Sequence, residues 1–356
     1  MILARVAVGR SIRSATVNSF FAILLNMAYV IPIVLGAVGM FILYKGSTLF
    51  LDHSSALARY WRVPLIIIGL TIVALGTSLP ELVVGIIAGL EQKNDIVLGN
   101  VLGSNVANIG IVLGLSILIY PINLGLAKKS RLELFGLLCS IGLLYLMVID
   151  GYLSRVDGVI LVACGVGFTW IAVRYHSQNN GIERDDIATN IAIRQRKDLV
   201  VSVAALLAGL ALLFVGARMV VTNAIVLARL FQLSELFIGI TIVAVGTSLP
   251  EIVTGITASL RKSNDLVIGN VVGSNILNIL IVLGVTICIA PITVAASFWK
   301  FDLPLVLLLT LLLAGLMYRG QRLSKGFGVM FLSAYGLYVL IAFLVEQGIL
   351  NSFPLR

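Results

Sequence analysis

A chain made mostly of apolar runs carries the same polar signature twice. Ala74-Leu-Gly-Thr-Ser-Leu-Pro-Glu81 returns as Ala244-Val-Gly-Thr-Ser-Leu-Pro-Glu251. Downstream, Gly99-Asn-Val-Leu-Gly-Ser-Asn-Val-Ala-Asn108 returns as Gly269-Asn-Val-Val-Gly-Ser-Asn-Ile-Leu-Asn278. From Ile68–Gly114 to Ile238–Gly284 roughly two-thirds of positions are identical with no gap, which marks an internal duplication. Each copy sets a carboxylate, hydroxyls and amides inside an apolar stretch, where such groups are expensive. A chain that keeps that cost twice is expected to use it.

The apolar background fixes the class. Of 356 residues, 60% are hydrophobic and 12% charged, and the mean hydropathy is +1.09. That balance reads as a polytopic membrane protein in a lipid bilayer. The formal charge of +9 is spread over short loops, so it reads as loop charge and no nucleic-acid partner is expected. Cys139, Cys164 and Cys288 lie in apolar runs with no His nearby, which argues against disulfides or zinc. Residues 1–26 carry Arg5, Arg10 and Arg13 without an acid and read as an N-terminal extension or targeting segment.

Spans of about 20 apolar residues are expected at Met27–Leu51, Val63–Leu90, Ile96–Tyr120, Leu132–Ile149, Val156–Val173, Leu199–Val221, Leu236–Leu260, Leu266–Ala290, Leu303–Tyr318 and Phe327–Val345. The polar linker 175–198 separates a first unit, 27–174, from a second, 199–348. An offset of 170 matches residues across both units, for example Gly46 to Gly216, Pro121 to Pro291 and Gly158 to Gly328. The repeating unit is therefore a five-span half. Five is odd, so the second half enters the membrane from the opposite side. The expected fold is an all-α polytopic membrane protein, ten transmembrane helices in two inverted five-helix repeats. Basic residues concentrate after spans 1, 3, 5, 7 and 9, among them Arg59, Lys128, Lys129, Arg196, Arg261 and Lys262. That places the central loop in the cytoplasm and both termini outside. An integral protein of the plasma (inner) membrane is expected.

Pro80 removes an intrahelical hydrogen bond and crowds the preceding turn, which frees carbonyls around Ala74–Thr77. Exposed carbonyls at membrane depth persist only where they line a protein-walled or wet cavity. Thr77 and Glu81 are four apart and share a helical face. Ala244–Glu251 repeats each element, Thr247 included. A kinked helix would explain one copy. The two carboxylates argue for more, since a charge at a helix centre costs about 2.5–3.5 kcal/mol. Neither has a Lys or Arg in its own motif, so both call for protons or cations. Asn100, Ser104 and Asn108, and Asn270, Ser274 and Asn278, form stripes of spacing four. For Asn100 and Asn270, interhelical hydrogen bonding is as good a reading as transport. Ser104, Asn108, Ser274 and Asn278 are the better transport candidates. Helix packing explains Gly99, Gly103, Gly269 and Gly273. Helix capping explains Asn94-Asp95 and Asn264-Asp265.

All these ligands are oxygens, which disfavours zinc, copper or nickel. Two carboxylates suit one divalent cation such as calcium, or monovalent ions taken one at a time. Competition for one charged site is the physical basis of exchange. No cofactor is expected; the partners are small cations. An intramembrane lipid phosphatase would want Arg or His beside the carboxylates, and the motifs have neither. A channel fits poorly with two deep carboxylates in one central site.

The paired Gly-Thr-Ser-Leu-Pro-Glu and Gly-Ser-Asn-x-x-Asn motifs resemble the cation/calcium exchanger superfamily, in its bacterial sodium/calcium exchanger-like branch. The resemblance spans Met27–Glu346. It implies a non-enzymatic antiporter exchanging Ca2+ for Na+ by alternating access, with ion sites between spans 2, 3, 7 and 8. It implies a calcium site at Glu81 and Glu251 with Thr77 and Thr247. Sodium sites would use the carbonyls of Ala74 and Ala244 with Ser78, Ser104, Ser248 and Ser274, and Asn108 and Asn278 would be the central amides. Some relatives carry Asp at one of those last two positions; this chain has Asn at both. Proton- or potassium-coupled exchange is the alternative within the same fold.

Overall fold

A computed structural model describes residues 2–61, 63–123, 131–179, 196–231, 244–295 and 298–346, with side chains from residue 27 onward. The described chain is helical, apart from four two-residue strands. α1 (Ile2–Trp61) is followed by α2 (Leu65–Thr77), α3 (Leu79–Leu90) and α4 (Asn94–Ile119). After β1 (Ile122–Asn123) come α5 (Arg131–Met147), β2 (Tyr152–Leu153) and α6 (Arg155–Asn179). The second half runs α7 (Arg196–Leu230), α8 (Ala244–Thr247), α9 (Leu249–Leu260), α10 (Asn264–Ile289), β3 (Ile292–Thr293), α11 (Leu303–Arg319), β4 (Arg322–Leu323) and α12 (Lys325–Glu346).

Among the described residues, five helices are long and apolar enough to cross a membrane, and six with the bent pair α2–α3. The start of the expected span 7, residues 236–243, lies outside the described residues, as does linker segment 180–195. The ends of the expected linker are helical: α6 runs on to Asn179 and α7 starts at Arg196. α6 is held beyond its apolar run by contacts from its last turns. Arg174 stacks over Trp170, and His176 Nε2 meets Glu133 Oε1 of α5 at 2.6 Å.

The halves interlock crosswise. α6 packs on α10, and α12 packs on α4. β1 pairs with β4 and β2 with β3, both antiparallel. β1 and β3 are 170 positions apart, as are β2 and β4, so each half lends a strand to the other. α1 and α7 form the most extensive helix contact. A Cβ on Gly46 would stand 2.8 Å from the Leu213 backbone nitrogen, and one on Gly216 would stand 2.7 Å from that of Leu43. Only a residue without a side chain permits that approach.

Of the four glycines expected to pack helices, Gly269 and Gly273 do so, while a Cβ on Gly99 or Gly103 would meet nothing within 4 Å among the described residues. A Cβ on Gly273 would lie 2.6 Å from Leu70 Cα, and one on Gly269 would lie 2.6 Å from the Ile66 carbonyl. The residues matching Ile66 and Leu70 in the second half, 236 and 240, lie outside the described residues. Capping differs from expectation. α4 and α10 begin at Asn94 and Asn264, with Lys93 and Ser263 at the N-caps, and neither cap makes a side-chain bond. Asp95 sits inside the first turn, where the helix dipole favours a carboxylate.

Candidate cation site

The break comes where proline demands it. Ser78, with φ −83° and ψ 6°, separates α2 from α3, and the two helices bend by 43°. Pro80 supplies no N–H to the Gly76 carbonyl, so that carbonyl loses its helical donor. Glu81 lies in the first turn of α3, where the amide dipoles favour its negative charge. Ser248, with φ −86° and ψ 8°, and Pro250 set Glu251 the same way at the start of α9. The Ala74 carbonyl is only partly free. It accepts the Ser78 N–H at 3.0 Å and the Thr77 hydroxyl at 3.4 Å. Ala244 opens α8, and its side-chain surroundings lie outside the described residues.

Across the two halves the side chains meet in exchanged pairs. Ser78 Oγ donates to Glu251 Oε1 at 3.1 Å, and Ser248 Oγ donates to Glu81 Oε1 at 3.2 Å. Ser104 Oγ donates to the same Glu81 oxygen at 3.3 Å and accepts from Ser248 at 3.3 Å. Thr77 bonds the Val73 carbonyl at 3.0 Å and Asn270 Oδ1 at 3.4 Å. Thr247 is half-buried one residue before Ser248. Asn100 donates to the Glu81 carbonyl at 2.9 Å, an interhelical bond of the kind weighed against transport.

Two residues that the spacing-four stripe passes over complete the centre. Asn105 Nδ2 donates to the Asn275 carbonyl at 3.2 Å, and Asn275 Nδ2 donates to the Asn105 carbonyl at 3.4 Å. Asn275 Oδ1 accepts from Asn108 at 3.1 Å, and Asn105 Oδ1 accepts from Asn278 at 3.2 Å. Both lie in the duplicated motif, three residues before Asn108 and Asn278, so repetition itself was the signal for them. A wider helical turn begins at Asn108 and again at Asn278, running to Leu113 and Leu283. Such π-type turns cluster at functional sites.

What remains after these bonds is a set of oxygens. Glu81 Oε2, Glu251 Oε2, Asn108 Oδ1 and Asn278 Oδ1 are buried and accept no hydrogen bond from the described residues. Ser274 Oγ is also buried without a partner. Among the described residues no three of His, Cys, Asp and Glu gather into a cluster, so amide and hydroxyl oxygens must complete any shell around a cation. Two carboxylate and two amide oxygens, with hydroxyls around them, make a hard, oxygen-only set suited to calcium or sodium.

The chain matches the sodium/calcium exchanger protein family over residues 31–174 and again over 201–344. The chain belongs to that family. The two matched stretches are offset by the 170 residues of the internal duplication. Among similar proteins, the inner membrane protein YrbG of Escherichia coli is 36% identical, covering 82% of this chain and 91% of its own. The putative antiporter CaxA of Alkalimonas amylolytica is 35% identical over 88% and 97% of the two chains. The sodium/calcium exchanger MaX1 of Methanosarcina acetivorans is 28% identical over 86% and 97%. Among solved structures, the sodium-calcium exchanger NCX_Mj soaked with zero Na+ and Ca2+ superposes with a TM-score of 0.74 at 30% identity, covering 88% of this chain and 98% of that one. This exchanger-family chain thus has a helical membrane-transporter fold, and its family is one of transporters rather than enzymes.

Proposed function

We propose that the protein is a secondary antiporter that exchanges Ca2+ for Na+ across the plasma (inner) membrane by alternating access. The observation that carries this reading is the buried set of unpartnered oxygens at Glu81, Glu251, Asn108 and Asn278. Burying an unpaired carboxylate costs several kcal/mol, roughly, and a bound cation offsets that cost. Calcium binds across the two carboxylates, with Thr77 and Thr247 oxygens completing the shell. Sodium ions use Ser78, Ser104, Ser248 and Ser274 with the carbonyls of Ala74 and Ala244. Either load neutralises the core and permits the change of side; the empty site keeps two buried negative charges and changes side poorly.

Ten spans in two inverted repeats complete the reading, with 27–174 and 199–348 as the halves and 1–26 as an extension. The crossed strand pairs and the exchanged serine–glutamate and asparagine bonds support a two-fold relation between the halves. An odd number of spans per half turns that relation upside down in the bilayer. The loop charges favour a cytoplasmic linker and external termini.

The test is calcium uptake into vesicles under an imposed sodium gradient, for wild type, Glu81→Gln and Glu251→Gln. Each substitution is expected to abolish gradient-driven uptake. Sodium-driven uptake that persists in either variant overturns the site assignment. Uptake driven by a proton or potassium gradient instead of sodium overturns the coupling ion and leaves the site standing.

A further inference from the structure

The halves agree at the centre and differ at one end. α9 is buried over Pro250–Gly255 and at Thr257, Ala258 and Ser259. Its copy α3 leaves Val83 and Ile87 exposed where Val253 and Thr257 are buried. The cover over α9 is the second half of α1. Residues 50, 51 and 53–58 of α1 are buried, and α1 packs on α9, with Ser47 Oγ donating to the Val253 carbonyl at 3.5 Å. In the matching part of α7, residues 220–228, Ala228 alone is buried.

An ion pair closes the far end of this interface. Arg261 Nη1 meets Asp52 Oδ1 at 2.6 Å, and Arg261 Nη2 donates to the Thr48 carbonyl at 3.3 Å. Both side chains are about three-quarters buried, at 22% and 26% exposure. The duplication places Glu91 and Thr222 at the matching positions, which cannot form this pair. Glu91 instead pairs with Lys93 of its own loop at 2.6 Å. The clasp therefore exists on one side only.

Around the clasp, α1 and α9 carry buried polar atoms where they have no need to. Thr254 precedes Arg261 by seven residues, two helical turns, and so shares its face. Its hydroxyl is buried without a partner. On α1, Thr48 Oγ1 before Asp52, and His53 Nδ1, Ser54 Oγ and Ser55 Oγ just after it, are buried without partners among the described residues. The copies of Thr254 and Thr257 on α3 are Val84 and Ile87. Buried hydroxyls left unbonded are costly in a static contact. They are useful in a contact that opens, because water then satisfies them and their oxygens can hand a hard cation along.

We propose that the α1–α9 interface is the route by which the cation leaves or reaches the site on the Arg261 side, and that the Arg261–Asp52 pair is the latch that holds it shut. The proposal rests on the transport reading of the Glu81–Glu251 site. Opening requires the pair to part, which uncovers Thr254 and then Glu251.

The experiment reads access and not cargo. In the full chain carrying Cys139→Ala, Cys164→Ala and Cys288→Ala, Thr254→Cys is labelled with a membrane-impermeant thiol reagent in vesicles of each orientation. Slow labelling is expected from the Arg261 side with the latch intact. Arg261→Gln and Asp52→Asn should each speed it about fivefold, the most that loss of a partly exposed ion pair allows. The exchanged pair Asp52→Arg with Arg261→Asp should return it to the slow rate. Unchanged labelling in both single variants, each shown to be monodisperse, overturns the latch, as does an exchanged pair that stays fast. Latch-dependent labelling in a protein without sodium-driven calcium flux supports the latch and overturns only the cargo assigned above.

Discussion

Replacing Asn275 by Leu keeps the number and branching of the side-chain heavy atoms and removes two hydrogen bonds at the centre of the molecule. Asn275 Oδ1 holds the amide of Asn108 at 3.1 Å, and its own amide holds the Asn105 carbonyl at 3.4 Å. The backbone carbonyl of residue 275, which accepts from Asn105, survives. Interhelical bonds of this kind in membranes are worth about 0.6 kcal/mol on average and ~1.7 at most. Two of them amount to about 1–3 kcal/mol, or roughly 5- to 150-fold in an equilibrium constant. The loss falls on cation binding because Asn108 Nδ2 is what fixes the direction of Asn108 Oδ1, one of the four unpartnered oxygens. Asn105→Leu strands Asn278 in the same way, at a bond of 3.2 Å. The two variants should therefore weaken calcium binding by similar factors, within roughly threefold of each other, a difference of about 0.65 kcal/mol. Calorimetric titration of sodium-free protein in detergent with calcium chloride measures both. A folded variant with wild-type affinity would show that the asparagines do not position the site. A tenfold disparity between the two would refute the reciprocal arrangement.

Gly273→Ala sets a methyl group 2.6 Å from Leu70 Cα and 2.8 Å from its carbonyl, atoms of backbone that cannot turn aside. The expected cost is about 1–3 kcal/mol, read as a lowered thermal midpoint; an unchanged midpoint would mean that α2 and α10 do not approach this closely. Pro80→Ala returns an N–H to the Gly76 carbonyl and should reduce the 43° bend that carries Glu81 into the centre. Folded protein with reduced calcium flux is the expected outcome, and full flux would separate the bend from transport.

The duplicated signature made the buried polar centre, the candidate site, largely legible. Glu81, Glu251, Ser78, Ser248, Ser104, Asn108 and Asn278 all occupy the buried centre, because a polar residue repeated at membrane depth has few places to go. Asn105 and Asn275 were harder to read. Stepping by four from Asn100 selects Ser104 and Asn108 and passes over residue 105, although residues 105 and 108 lie three apart and share a face equally well. The wider turns at Asn108 and Asn278 had no local signal, since Ile, Val and Leu runs suit an α-turn and a π-turn alike. Capping by Asn94 was overread: α4 simply starts at that residue, so its side chain is one position too late to cap. Nor could pattern alone show that α9 would be covered and α3 left open, because their first turns are the same sequence.

The duplication stays most faithful where the two halves touch each other, and there is a mechanical reason. When a residue bonds the copy of its neighbour, a change in one half is met by an unchanged partner in the other. Ser78 with Glu251 and Ser248 with Glu81 are two instances of one contact. So are the two bonds between Asn105 and Asn275. A contact made twice is kept only if both copies keep the same residues. Away from that centre, α9 packs on α1 while Val83 and Ile87 of α3 are exposed, so nothing ties Val84 to Thr254, Ile87 to Thr257, or Glu91 to Arg261. The first set of positions makes a site that two halves can present alike to either side. The second set makes the sides different, and that is the difference which the alternating access proposed above would use to hold one door shut while the other is open.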